Sequence, residues 1–366
     1  MEKCIQIGCI IGTRPEIIKM FPIIKRLQAC SWAKVTIINT AQHRCLLDNI
    51  LTSFQIRPDI DLDIMTANQS LGTLTSKLCS KLESLILKQK FDVLLAAGDT
   101  TTVFVSALTA FYHNIFFGHI EAGLRTYNSR EPYPEEINRV LTAPLATWHF
   151  APTQEEKDNL IRENISPANV IVTGNPVIDT LHWTLKNTAH NGRFKHLNNI
   201  VIVTAHRREN FGQHLENICA AIITLAKKYD LNFIFPVHPN PQVQAVINNM
   251  LANNPKVHLI SPLCYVDFVH LMQQCILILT DSGGIQEEAP ALSKPILVLR
   301  HPTERPAIIT EGVGLLVGTE KENIINTVEN LLEDKKLYAS LAKGISPYGD
   351  GHAGEKIVNY LQGVLL

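Results

Sequence analysis

Apolar runs of strand length alternate with segments of helical period along nearly the whole chain, and that alternation constrains the fold more than any single motif. Cys4 to Ile11 is one such run. Pro15 to Leu27 then places Ile17, Ile18, Phe21, Ile24 and Leu27 on one helical face. Val35 to Ile38, Phe91 to Ala97, Ile115 to Ile120, Trp148 to Ala151 and Val170 to Val172 are further runs, with a helix predicted over Thr101 to Tyr112. Residues 185–199 are polar and aperiodic, and read as part of a linker region. The alternation then restarts with runs at Ile200 to Thr204, Phe233 to Pro236, Val257 to Ile260, Cys275 to Thr280 and Pro295 to Leu299. Helices are predicted at about Gln213 to Tyr229, Gln242 to Leu251, Ile285 to Leu292 and Lys321 to Glu333, and Glu355 to Leu365 has a helical apolar pattern. Repeated βαβ units imply parallel sheets. A chain of 366 residues exceeds what one core usually serves. The prediction is an α/β protein of two doubly wound domains, residues 1–175 and 176–351. Such folds bind ligands at the carboxyl ends of their strands, and a cleft between the domains is the natural place.

Composition narrows the partners. Formal net charge is -1, which gives no bulk electrostatic case for nucleic acid or an anionic membrane. The eight cysteines form no CxxC pair and several sit in apolar runs, as expected in a reducing compartment without disulfides or a zinc site. The first residues lack a signal-peptide pattern and no run is long enough to span a bilayer, so the expected location is the cytoplasm.

The densest chemistry lies in Thr280-Asp281-Ser282-Gly283-Gly284-Ile285-Gln286-Glu287-Glu288. A strand ends there and a helix is predicted to start. Helix starts leave backbone N–H groups unpaired and carry partial positive charge, and glycines let an anion approach closely. Ser282, Gly283 and Gly284 therefore read as a phosphate seat, with Glu287 and Glu288 expected in the first turn to accept bonds from sugar hydroxyls. An ordinary turn with a capping Ser is the plainer alternative.

Four other polar clusters follow predicted strands. Gly12-Thr13-Arg14-Pro15-Glu16 and Lys19 open a helix, with Arg14 and Lys19 facing the cleft, or simply lying solvated on a capped helix. The spacing is not GxGxxG, so a dinucleotide fingerprint is absent. Asp99, in Gly98-Asp99-Thr100, is placed to cap the next helix. Glu121 ends an apolar strand, where a carboxylate needs a partner or a function. Arg125 to Pro134 reads as a mobile loop able to carry Glu135; Glu135 and Glu136 also suit a helix start. His206 stands between a strand end and a helix entry that contains glycine. Arg305 is suited to neutralising a diphosphate, and Phe268 to packing on a base or in the core.

Together these residues resemble the non-hydrolysing UDP-N-acetylglucosamine 2-epimerases. The motifs GTRPEIIK (12–19), AQH (41–43), GDTTT (98–102), HIEAGLRT (119–126), PEEINR (134–139), GNPVID (174–179), HRRENFG (206–212), PVHPNP (236–241), TDSGGIQEEAP (280–290), TERP (303–306) and PYGDG (347–351) run in family order. The resemblance implies two Rossmann-like domains in a glycosyltransferase-B-like architecture, with a C-terminal helix over about 352–366 returning to the first domain. It implies that Asp99, Glu121, Glu135 and His206 are catalytic. It implies UDP contacts from Arg14, Lys19, Phe268, Ser282, Gly283, Gly284, Glu288 and Arg305, with Glu288 on the ribose. The implied activity is reversible epimerisation at C2 of UDP-N-acetylglucosamine, through loss of UDP to 2-acetamidoglucal and its re-addition. No cofactor and no metal are expected. A homodimer and a place in cell-surface polysaccharide synthesis are implied, though the sequence does not identify the pathway.

Some family members carry a second, activating UDP-N-acetylglucosamine site. Gln42, His43, Gln69, Glu136, Arg207 and His238 match it, whereas Cys45 and Asn68 replace a Gln and an Arg there, so its retention stays open. Leu263 replaces a Gln near the uracil pocket. The rival readings are a hydrolysing epimerase releasing N-acetylmannosamine and UDP, an epimerase of a diacetamido uronic acid sugar nucleotide, a glycosyltransferase on the same scaffold, and a non-catalytic UDP-sugar binder. Hydrolysing enzymes tend to read GTRA where this chain reads Gly12-Thr13-Arg14-Pro15.

Overall fold

The computed structural model describes residues 4–366 apart from 42, 43, 67, 68, 302 and 304; residues 44–46 and 208 are described by backbone alone. Gln42, His43 and Asn68 therefore lie outside the described residues. The chain forms two compact units, Met1–Trp183 with Tyr348–Leu366, and Thr184–Pro347.

The first unit holds strands β1 (Ile5–Ile11), β2 (Ala33–Asn39), β3 (Ile60–Asp61), β4 (Val93–Ala97), β5 (Phe116–Ile120), β6 (Trp148–Ala151) and β7 (Val170–Val172). They lie in the order β3-β2-β1-β4-β5-β6-β7, every neighbouring pair parallel. The second unit holds β8 (Ile200–Thr204), β9 (Asn232–Pro236), β10 (Val257–Ile260), β11 (Leu277–Thr280), β12 (Ile296–Val298) and β13 (Gly314–Leu316). Their order is β10-β9-β8-β11-β12-β13, again all parallel. The central strands are buried along their whole length, which is why β4 (VLLAA) and β8 (IVIVT) are continuous rather than alternating patterns. In each sheet the strand order reverses beside the first strand, between β1 and β4 and between β8 and β11. Loops leaving the carboxyl ends there diverge and leave a crevice, the place such sheets use for ligands.

The first unit extends past residue 175, to Trp183, because the first part of the helix Pro176–Asn187 is bonded into it. Thr180 Oγ1 donates to Ile18 O at 2.6 Å, and Trp183 packs edge-on against Phe21. The C-terminal helix Ala353–Leu365 lies on the helix Arg14–Gln28. Asp179 accepts from Ala353 N at 3.0 Å and Gly354 N at 2.9 Å, satisfying two donors at the start of that helix. A Cβ on Gly354 would lie 3.2 Å from Pro22 Cβ, so the helices meet where a side chain is missing. Ile357, Val358 and Leu361 fill the contact.

Among the described residues no helix is long and apolar enough to cross a membrane. Cys9, Cys219 and Cys275 are buried, and burial pushes each thiol up to about 12, leaving them as small apolar core groups.

Candidate active site

In the first unit the turns after β1, β4 and β5 carry the candidate residues. Gly12 and Thr13 lead from β1 into the helix Arg14–Gln28, with Pro15 in its first turn. Glu16 is buried and folds its carboxylate back onto that entrance. Its Oε2 accepts from Gly12 N at 2.6 Å and Thr13 N at 2.9 Å, and its Oε1 accepts from Thr100 Oγ1 at 2.5 Å. Burial pushes Glu16 up to about 7 against the opposing pull of those bonds. One side chain thus ties the turn after β1 to the turn after β4. Arg14 is half-buried on the first turn of the helix, and Lys19 on the second pairs its ammonium with Glu121 Oε2.

The turn after β4 corrects one expectation. Thr100, not Asp99, is the N-cap of the helix Thr101–Tyr112, accepting from Val103 N. Asp99 sits one residue too early to cap. Its Oδ2 instead receives Arg139 at 2.5 Å, and its carbonyl receives Asn138 Nδ2 at 3.0 Å. Both donors come from the helix Glu135–Thr142.

β5 stops at Ile120, and Glu121 follows with φ +63°, a left-handed conformation costly for a residue with a Cβ. Its side chain is almost fully buried. Oε1 accepts from Asn175 Nδ2 at 2.9 Å while Lys19 neutralises Oε2. Beneath it, the buried His119 donates Nε2–H to Gly98 O at 2.7 Å. Burial pushes His119 down to about 4, so the ring is neutral near pH 7.

The stretch from Arg125 to Pro134, expected to be mobile, is fastened at its start. Arg125 makes two 2.7 Å bonds to Glu163. Glu136 Oε1 accepts from Thr126 N and Tyr127 N at 3.0 and 2.9 Å, and Oε2 pairs with Arg139 at 3.1 Å. Both oxygens of Glu136 are therefore engaged within the protein. Glu135 precedes it, half-buried in the same first turn. Gln69 lies before the helix Leu71–Lys88 and accepts from Thr66 Oγ1 at 3.0 Å.

In the second unit, the turns after β8 and β11 meet. Thr204 and Thr280, which end those strands, share a 2.5 Å hydroxyl bond. Asp281 is fully buried and accepts at Oδ2 from His206 N (2.8 Å), Arg207 N (2.8 Å) and Asn210 Nδ2 (3.0 Å). His206 Nδ1 lies 3.2 Å from Asp281 Oδ1, and the exposed His238 stacks on the His206 ring at 5.9 Å between centroids.

Ser282 is the N-cap of the helix Gly283–Ala291, yet its side chain makes no capping bond. A Cβ on Gly284 would meet nothing within 4 Å, so that glycine is not there for packing. Because the helix starts at Gly283, Glu287 and Glu288 fall in its second turn rather than the first, and both are buried. Glu288 Oε1 accepts from Tyr265 Oη at 2.6 Å. Glu287 pairs with the buried Arg305. Phe268, on the helix Tyr265–Gln274, is half-buried. Glu16, Arg139, Asn175, Tyr265 and Asp281 thus support the expected groups, though the sequence reading gave them no part. A polar residue on an apolar helix face (Glu16) or at a strand end (Asp281) is the signal that marks two of them.

The model of the family described as UDP-N-acetylglucosamine 2-epimerase matches residues 25–362. The UDP-N-acetylglucosamine 2-epimerase of Neisseria meningitidis is 46% identical over 363 residues, covering 96% of this chain and 98% of that protein. A crystal structure of a Neisseria meningitidis UDP-GlcNAc 2-epimerase bound to UDP-GlcNAc superposes with a TM-score of 0.92 at 45% identity, covering 98% of this chain and 100% of that one. An S. aureus MnaA–UDP co-structure gives 0.91 at 43% identity, covering 98% and 96%. With these neighbours the two parallel units are those of a glycosyltransferase-B-like fold, and the chain belongs to the UDP-N-acetylglucosamine 2-epimerase family.

Proposed function

We propose that this protein is an isomerase that interconverts UDP-N-acetylglucosamine and UDP-N-acetylmannosamine by inverting C2, without releasing free sugar. Its Neisseria relative carries that epimerase name and binds UDP-GlcNAc in the crystal. The observation that carries the reading is Glu121, a buried carboxylate in a strained backbone conformation, charge-paired with Lys19 at the carboxyl end of β5. Folding alone does not favour such a group.

The C2 hydrogen has no adjacent carbonyl and is not acidic. A base removes it only as the C1–O bond to UDP breaks. The electron pair of the C2–H bond becomes the C1=C2 double bond of 2-acetamidoglucal, and UDP leaves as the diphosphate. Return of a proton to the opposite face of C2, with re-addition of UDP at C1, gives the epimer. Asp99, Glu121, Glu135 and His206 form the acid–base set for these two proton transfers. Gly283 and Gly284 offer backbone N–H groups to the diphosphate and Ser282 offers its hydroxyl, which makes no capping bond, with Arg14, Lys19 and Arg305 countering its charge. Glu288, oriented by Tyr265, accepts from the ribose hydroxyls, and Phe268 packs on the uracil.

We also propose a cytoplasmic homodimer. Support comes from Ile137, Val140 and Leu141, exposed on a helix that buries Glu136, Asn138, Arg139 and Thr142. The product is expected to feed cell-surface polysaccharide synthesis. Purified protein incubated with UDP-N-acetylglucosamine, with products read by proton NMR, tests the central reading. UDP-N-acetylmannosamine is expected; free N-acetylmannosamine would indicate a hydrolysing enzyme instead.

A further inference from the structure

Asp281 has no part in the set named above, yet it is the best-buried carboxylate beside it. It is fully buried, and three donors converge on Oδ2, two of them the backbone amides of His206 and Arg207. Those bonds fix the loop after β8 to the end of β11 and fix which way the carboxylate faces. Oδ1, in turn, is buried, takes no well-aligned hydrogen bond, and lies 3.2 Å from His206 Nδ1. A buried acceptor short of a full bond gains most from a donor whose positive charge grows during reaction. His238, stacked at 14° to the imidazole, restrains the ring from its face.

We propose that Asp281 is a positioning residue for His206, holding hydrogen on Nδ1, presenting Nε2 as the atom that exchanges protons, and stabilising the imidazolium. An ionised carboxylate can only accept, so a ring nitrogen facing it carries the hydrogen. Asp281 also directly precedes Ser282, whose N–H donates to Thr280 Oγ1 at 2.9 Å. One buried carboxylate thus aligns the imidazole with the head of the helix Gly283–Ala291. The proposal rests on the reading of His206 as an acid–base group.

The isosteric Asp281→Asn variant separates position from shape. Its amide oxygen can keep the backbone donors of residues 206 and 207, which turns the NH2 towards His206 Nδ1. An NH2 donor there forces hydrogen onto Nε2 instead. The expected result is a fall in kcat of at least ~100-fold with KM held within about threefold. In 15N-histidine NMR, wild-type His206 is expected as the Nδ1–H tautomer and the variant as Nε2–H. An Nε2–H tautomer in wild type, or unchanged kcat in Asp281→Asn, would overturn the proposal. The wild-type spectrum decides even if the variant does not fold. His206→Gln tests the underlying reading separately: wild-type turnover there would remove His206 from the chemistry, and the claim that Asp281 serves catalysis through it would fall too, whatever the tautomer.

Discussion

The Arg139 guanidinium meets Asp99 at 2.5 Å across forty residues of sequence, and its other amino nitrogen meets Glu136 at 3.1 Å. The cation is buried, as is Glu136. Arg139→Met would leave the Glu136 carboxylate in the interior without its cation. Urea unfolding is expected to show a loss on the order of 3 kcal/mol. Stability equal to wild type would mean that the pair contributes little beyond its own desolvation.

Glu121 has its strain in the backbone, not only in its buried charge. At φ +63° any residue with a Cβ is disfavoured, while glycine is not. Glu121→Gly is therefore expected to be more stable than Glu121→Ala by about 1 kcal/mol. The reverse order in thermal or urea unfolding would place the strain elsewhere.

Chemistry at the same position is tested by isosteric change. Glu121→Gln and Glu135→Gln are each expected to slow epimerisation at least ~100-fold. Circular dichroism checks that the fold survives. Near-wild-type rates in either variant would take that carboxylate out of the proton transfers.

His149, in register beside His119 on β6, is pushed by burial from 6.5 down to about 3. The folded protein keeps the ring neutral while the unfolded chain binds a proton below about pH 6.5. The stabilisation is therefore present above that pH and lost as pH falls towards 3, and His119 adds a term of the same sign. Between pH 7 and about pH 5 this one ring is expected to cost the wild type about 2 kcal/mol. His149→Gln removes that increment. Unfolding curves at the two pH values with the same difference in variant and wild type would contradict it.

The sheets were legible because parallel strands buried on both faces are continuous apolar runs, as in β4 and β8. Two of the four edge strands were not: β3 has two residues and β13 three, and neither stands out as a run, whereas the edge strands β7 and β10 were read. The helix Leu71–Lys88 buries only Leu74, Leu78 and Leu82 among polar neighbours, a narrow stripe that falls below notice. At the site, Asp99, Glu121 and His206 were legible as polar groups just past strand ends. Their partners were not, because pairing is set by strand order: Asn175 lies 54 residues from Glu121, and Asp281 lies 75 from His206. Helix starts were read within a residue or two. That small offset moved Glu287 and Glu288 by one turn, whereas the helix Thr101–Tyr112 was read to the residue and Asp99 was still given the cap that belongs to Thr100.

The central claim is that UDP departs and returns while C2 exchanges its hydrogen. Turnover of UDP-N-acetylglucosamine in D2O, followed by NMR and mass spectrometry of both sugar nucleotides, tests it most directly. UDP-N-acetylmannosamine and recovered substrate are predicted to carry deuterium at C2, with no accumulation of free sugar. Unchanged UDP-N-acetylglucosamine, or N-acetylmannosamine accumulating beside UDP, would contradict it.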